Sequence, residues 1–138
     1  MTTTANEQHA EALGARIQQC AAWRWRPGML ALSGVRVTSA LYPSGIAVGV
    51  TEPAYHEVRL DPDDVPDLRD PATRGAVLDL VRAAHGDPLI CAVAHRSDDG
   101  PVRWWIDSDQ CPVDDLYAYD SEAEALVAAL EAAGGGES

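Results

Sequence analysis

The sequence predicts an α+β domain: a mostly antiparallel sheet of about five strands with helices packed on one face, in the order α-β-β-β-α-β-β-α. Three observations predict it. Two capping boxes mark helices towards the two ends of the chain, Thr4-Ala5-Asn6-Glu7 and Ser121-Glu122-Ala123-Glu124. Between them, the interval from Val35 to Leu60 is rich in β-branched residues broken by turn formers. The strands cluster before and after one central helix, without the regular strand-helix alternation of a parallel, doubly wound fold.

After the first box, Ala10, Leu13, Ile17 and Cys20 recur at three- and four-residue spacing and form one apolar stripe. This predicts a helix that runs to about Trp23 and is stopped by Pro27-Gly28. Strands follow near 34–41, 45–51 and 56–60, the first two joined across Pro43-Ser44-Gly45 as a hairpin. The interval Asp61 to Asp70 holds five Asp and two Pro and reads as an exposed loop leading to a helix. Asp70 is the expected N-cap and Pro71 the first helical residue. Val77, Leu78, Val81 and Ala84 are the expected buried stripe, and Gly86 with Pro88 ends this helix near His85. Leu89 to Ala94 and Val102 to Ile106 read as a buried strand and its hairpin partner across Ser97-Asp98-Asp99-Gly100. In the last helix Leu126, Val127 and Leu130 define the inner face, and Gly134-Gly135-Gly136 closes it. Residues 1–133 thus read as a single domain and 134–138 as a flexible tail.

At 138 residues the chain is long enough to own a core. Its 22 Asp and Glu outnumber 10 basic residues, a net charge of −12, which repels nucleic-acid phosphates and anionic lipid alike and attracts a basic protein or a cation. All basic residues are Arg, and Lys and Phe are absent. Together with abundant Ala, Gly and Pro, that pattern follows GC-rich coding first and salt adaptation second. No apolar run approaches the ~20 residues of a membrane span. Cys20, Cys91 and Cys111 are an odd, scattered set, read as free thiols in a reducing cytoplasm.

No metal site is assigned. The Asp61–Asp70 loop offers hard oxygen ligands but lacks the glycine and terminal Glu of a calcium loop, and Cys91 with His95 has no second ligand pair. Nor does any nucleophile elbow, P-loop or dinucleotide fingerprint occur, so no catalytic residue and no cofactor is assigned. The unusual local features are Trp23-Arg24-Trp25-Arg26 and Arg103-Trp104-Trp105, in which indole and guanidinium sit side by side. The binding face is therefore read as Trp23, Arg24, Trp25, Arg26, Arg103 and Trp104. Without Phe, tryptophan also has to supply bulky core residues, a role read first for Trp23 and Trp105, with Trp25 and Trp104 the rings for a partner or ligand.

Trp23-Arg24-Trp25-Arg26-Pro27-Gly28-Met29, Asp70-Pro71-Ala72-Thr73-Arg74-Gly75 with Leu80-Val81-Arg82, and Glu122 to Leu130 resemble segments of small uncharacterised proteins encoded by phages and prophages of GC-rich bacteria. The resemblance implies an origin in a mobile element and transfers no activity. The function expected from it and from the charge is an acidic interaction protein of the bacterial cytoplasm. Such a protein binds a host or phage protein and, in the immunity-type form, inhibits it. Mimicry of nucleic-acid charge is one route to this. A small-ligand, nucleotide-type binder using the Trp-Arg segments is the alternative, and an enzyme with an unrecognised site is the third.

Overall fold

The computed structural model describes residues 5–41, 46–51, 56–96, 100–107 and 119–135. Three helices and five strands follow in the expected order: α1 (Ala5–Gln18), β1 (Val35–Leu41), β2 (Ile46–Thr51), β3 (Glu57–Arg59), α2 (Pro71–His85), β4 (Cys91–Arg96), β5 (Val102–Asp107) and α3 (Glu122–Gly135). All strand pairs are antiparallel. The expectation of one continuous sheet is corrected, however: β1-β2-β3 form a three-stranded sheet and β4-β5 a separate two-stranded one. Each sheet belongs to its own compact unit and packs there, and on β5 the backbone of Trp104 pairs further with Tyr119, with N···O distances of 2.8 and 3.3 Å.

The chain forms two compact units, Met1–Gln18 with Arg24–Ala76, and Gln19–Trp23 with Val77–Ser138. In the first, Ala31, Val35, Val37, Ala47 and Leu60 make the core beneath the three-stranded sheet, and Trp25, Ala40 and Val58 pack against it. β1 shifts register between Val37 and Ser39, a bulge at Thr38 whose hydroxyl donates to Val48 O at 3.3 Å. The segment before β1 folds back on it, with Gly28 N donating to Val37 O and Ala31 N to Val35 O, each at 2.8 Å. Gly34 closes that turn with φ 101°, a conformation open mainly to glycine. On α1, Gly14 lets the helix backbone approach Val65 and Pro66, and a Cβ there would stand 2.5 Å from Pro66 O.

α1 ends at Gln18, five residues before the expected Trp23. Ile17 is its last fully buried stripe residue, while Cys20 is only half-buried. A short helix persists where burial supports it, and the chain instead turns with Trp23 N on Cys20 O. The Thr4 cap and the 43–45 turn lie outside the described residues.

In the second unit α3 packs on β5 and β4. Its inner face holds the expected Leu126, Val127 and Leu130, joined by Ala125 and Ala129. Its cap forms as Ser121 Oγ accepting Glu124 N at 3.1 Å, while Glu124 reaches back one residue further than expected, to Asp120 N at 3.2 Å. α2 ends in a Schellman motif: Gly86, at φ 66°, donates to Ala83 O, and Asp87 N donates to Arg82 O. The buried stripe of α2 is Thr73, Val77, Leu80 and Val81 rather than one reaching Ala84, which is exposed. β4 is likewise not a buried strand. Ile90 is fully buried just before it, but Leu89 is 81% exposed and Ala94, His95 and Arg96 face solvent. None of the described helices is long and apolar enough to cross a membrane.

Candidate functional site

Arg26-Pro27-Gly28-Met29 is a tight turn in which Met29 N donates to Arg26 O at 3.1 Å. Proline presets the second position, and Gly28 at φ 97° supplies the positive φ that the third position of a type II turn demands. Met29, fully buried, accepts Arg26 N through its sulfur at 3.3 Å. The turn fixes what its neighbours do. Trp25 is half-buried with its side chain on the apolar cluster of the first unit, and Arg24 and Arg26 on either side of it are exposed.

The Trp-Arg residues are shared between the two compact units. Trp25 serves the core of the first unit, whereas Trp23 belongs to the second unit and is half-buried there. Arg103 and Trp104 lie on β5, also in the second unit. Arg103 pairs with Asp120 at 2.9 Å, and half-buried Trp104 is tied by its backbone to Tyr119. Trp105 too is half-buried.

The acidic loop departs most from expectation. It is not simply a solvated connection, because Pro66, Asp67 and Leu68 are buried and the loop runs along residues 30–32, with Leu32 N on Val65 O and Asp67 N on Leu30 O, both at 2.8 Å. Its carboxylates add side-chain bonds to this backbone pairing. Asp64 accepts Val65 N and the Ser33 hydroxyl, and its carbonyl accepts Gln18 Nε2 at 2.9 Å. Asp67, 8% exposed, holds Arg69 through both carboxylate oxygens at 2.8 and 2.9 Å. Arg74 Nη1 spans the loop carbonyls of Leu68 and Arg69 at 3.1 and 2.7 Å.

Asp70 is the N-cap of α2, as expected, but also a junction. A single carboxylate oxygen accepts Thr73 N at 2.9 Å, Thr73 Oγ1 at 3.0 Å and Arg36 Nη1 at 2.7 Å. The same Arg36 nitrogen donates to Gly28 O at 3.0 Å, and Thr73 Oγ1 accepts Leu30 N at 2.8 Å. Burial pushes the Asp70 carboxyl up, but the Arg36 and Thr73 bonds outweigh it and hold the group below the ordinary 3.8. At Asp67 burial is again opposed, here by Arg69, with the same net direction. Arg36 and Thr73 were not legible as site-forming residues, since they meet Asp70 and Leu30 from 34 and 43 residues away in sequence.

Beside this network lies a hollow of about 270 Å³ lined by Glu11, Leu32, Ser33, Asp63, Asp64 and Val65. Glu11 and Asp63 are exposed, and Leu32 and Val65 give it an apolar wall. Among the described residues no three His, Cys, Asp or Glu side chains converge for a metal ion. Cys20 and Cys91 are half-buried thiols, and Cys111 lies outside the described residues. Comparison with protein-family models, with curated proteins and with solved structures finds no match to this chain.

Proposed function

We propose that this chain is a small acidic interaction protein of a phage or other mobile element, and that it binds a basic surface on a host or phage protein in the bacterial cytoplasm. The observation that carries the reading is the acidic hollow. Its loop is held by Asp64, Asp67 and Asp70 through internal bonds, while the Glu11 and Asp63 side chains stand exposed at its rim. A carboxylate rim with an apolar wall matches an arginine or lysine side chain, which lays its methylene stem on apolar surface and presents its charge to the acids. The net charge of −12 adds long-range attraction to any basic partner and speeds encounter. Mimicry of nucleic-acid charge and inhibition of a toxin are specific forms of this activity.

The test is capture from bacterial lysate at low ionic strength with the wild type and with the E11R/D63R double variant. A basic protein retained by the wild type should be lost with the double variant, and should elute from the wild type at about 0.5 M salt, where charges are screened within about 4 Å. Because both positions are exposed, the variant should melt like the parent. Identical retention by both proteins would remove the hollow from the interaction.

A further inference from the structure

A three-stranded and a two-stranded sheet have four outer edges between them, and three of these are closed or blunted. On β1, Val35 and Val37 bond back to Ala31, Met29 and Gly28. The β3 edge is only three residues long and carries the exposed charges of Glu57 and Arg59. On β5, Trp104 exchanges both of its backbone bonds with Tyr119. The edge left over is that of β4.

The Trp104–Tyr119 pair also fixes which groups β4 presents, because alternate residues of an antiparallel strand bond to opposite neighbours. With Trp104 turned to Tyr119, Arg103, Trp105 and Asp107 face β4, where they oppose His95, Val93 and Cys91. Ala92, Ala94 and Arg96 therefore turn their N–H and C=O groups outwards, and among the described residues neither alanine has a backbone partner there. Ala94 and Arg96 are exposed, and the ladder runs from Cys91 to Arg96 without a bulge. Short alanine side chains on this row let a second strand approach.

We propose that this edge pairs antiparallel with the β4 edge of a second copy of the chain, giving a four-stranded sheet across two molecules. An antiparallel edge is its own complement about a two-fold axis. With the axis at Ala94 all three outward residues are used: Ala94 faces Ala94 of the second copy, and Arg96 faces Ala92 rather than another arginine. The ends match in charge as well. Exposed Arg96 stands at one end of the β4-β5 pair and exposed Asp107 at the other, so antiparallel order lays the positive end of each copy beside the negative end of its mate. The net charge of −12 opposes approach at long range, but at about 0.15 M salt charges beyond about 8 Å are largely screened. The edge belongs to the second unit and does not rest on the acidic hollow.

Sedimentation equilibrium of the full chain at about 0.15 M salt, with protein up to about 1 mM so that weak association is seen, tests the pairing. The wild type should show a monomer–dimer equilibrium. A94K and A94E each set like charges face to face at the axis and should associate about fivefold more weakly or worse, while melting like the parent because position 94 is exposed. An equimolar mixture of A94K and A94E should dimerise at least as well as the wild type, a rescue that requires residue 94 to meet its own counterpart. E11R/D63R should dimerise no more weakly than the wild type, which separates failure of the edge from failure of the hollow. A monomeric wild type over this range, undiminished association of A94K, or a mixture no better than either variant alone would each overturn the assignment.

Discussion

Asp70 shows how one side chain organises its surroundings. Its carboxylate caps α2, anchors Arg36 of β1 and, through Thr73, orders Leu30. Replacement by Ala should destabilise the protein by about 2 kcal/mol, with the lost helix cap and a stranded, partly buried Arg36 as the cause. Asp70→Asn keeps the cap acceptor and should lose less. The pH dependence follows from the direction of the shifts. Asp67 and Asp70 are depressed in the folded state, so their contribution is full above the ordinary 3.8 and disappears as pH falls through the lower folded values. Chemical denaturation of the wild type should accordingly show a loss of stability below about pH 4, and D70N should show a shallower one. An unchanged acid limb in D70N would remove Asp70 from that role. The cap itself was legible, because Asp-Pro before an apolar stripe is a local signal. Trp25 was not, because indole beside arginine reads equally as a binding ring or a core ring until the cluster beneath it is known.

Among the elements, β2 depends on one glycine. Gly49 sits opposite Val37 and Val58 at the centre of the three-stranded sheet, and a Cβ there would press into the Arg36 carbonyl and the Val35 side chain. The neighbour is backbone and cannot swing aside. Gly49→Ala, which raises strand propensity elsewhere, should here lower stability by about 1–3 kcal/mol, measurable as a reduced urea midpoint. A midpoint equal to or above that of the parent would show that the sheet relaxes at no cost. The sequence marked the strands well because alternation is local, and it marked both ends of α2 because the Asp70 cap and the Gly86 stop are local. It overextended α1, since the stripe continues in sequence to Cys20 while burial stops at Ile17. It also buried β4, because an apolar run by itself does not tell a covered strand from an edge.

Across the whole molecule, −12 charges repel one another at neutral pH. Raising ionic strength from about 0.01 M to about 0.5 M shortens the screening length roughly sevenfold and should raise the melting temperature. A fall in Tm over that range would mean that ion pairs such as Arg36–Asp70 and Arg69–Asp67 outweigh the general repulsion. The same charge underlies the proposed contact with a basic partner. The hollow uses the acidic excess.

The α+β class, the order of eight elements, the antiparallel pairing and the caps of α2 and α3 were determined by the sequence, because each depends on periodicity or on side chains within a few residues of one another. The split into two sheets, the end of α1, the knitting of the Asp61–Asp70 loop and the packing of Trp25 on an apolar cluster were decided by tertiary structure. Each depends on which surface an element covers and on partners about 30 to 45 residues away, such as Arg36 for Asp70, Ser33 for Asp64 and Gln18 for the Asp64 carbonyl. Periodicity records that a face is apolar or that a loop is acidic. Only folding brings up the neighbour that buries the first or accepts the second.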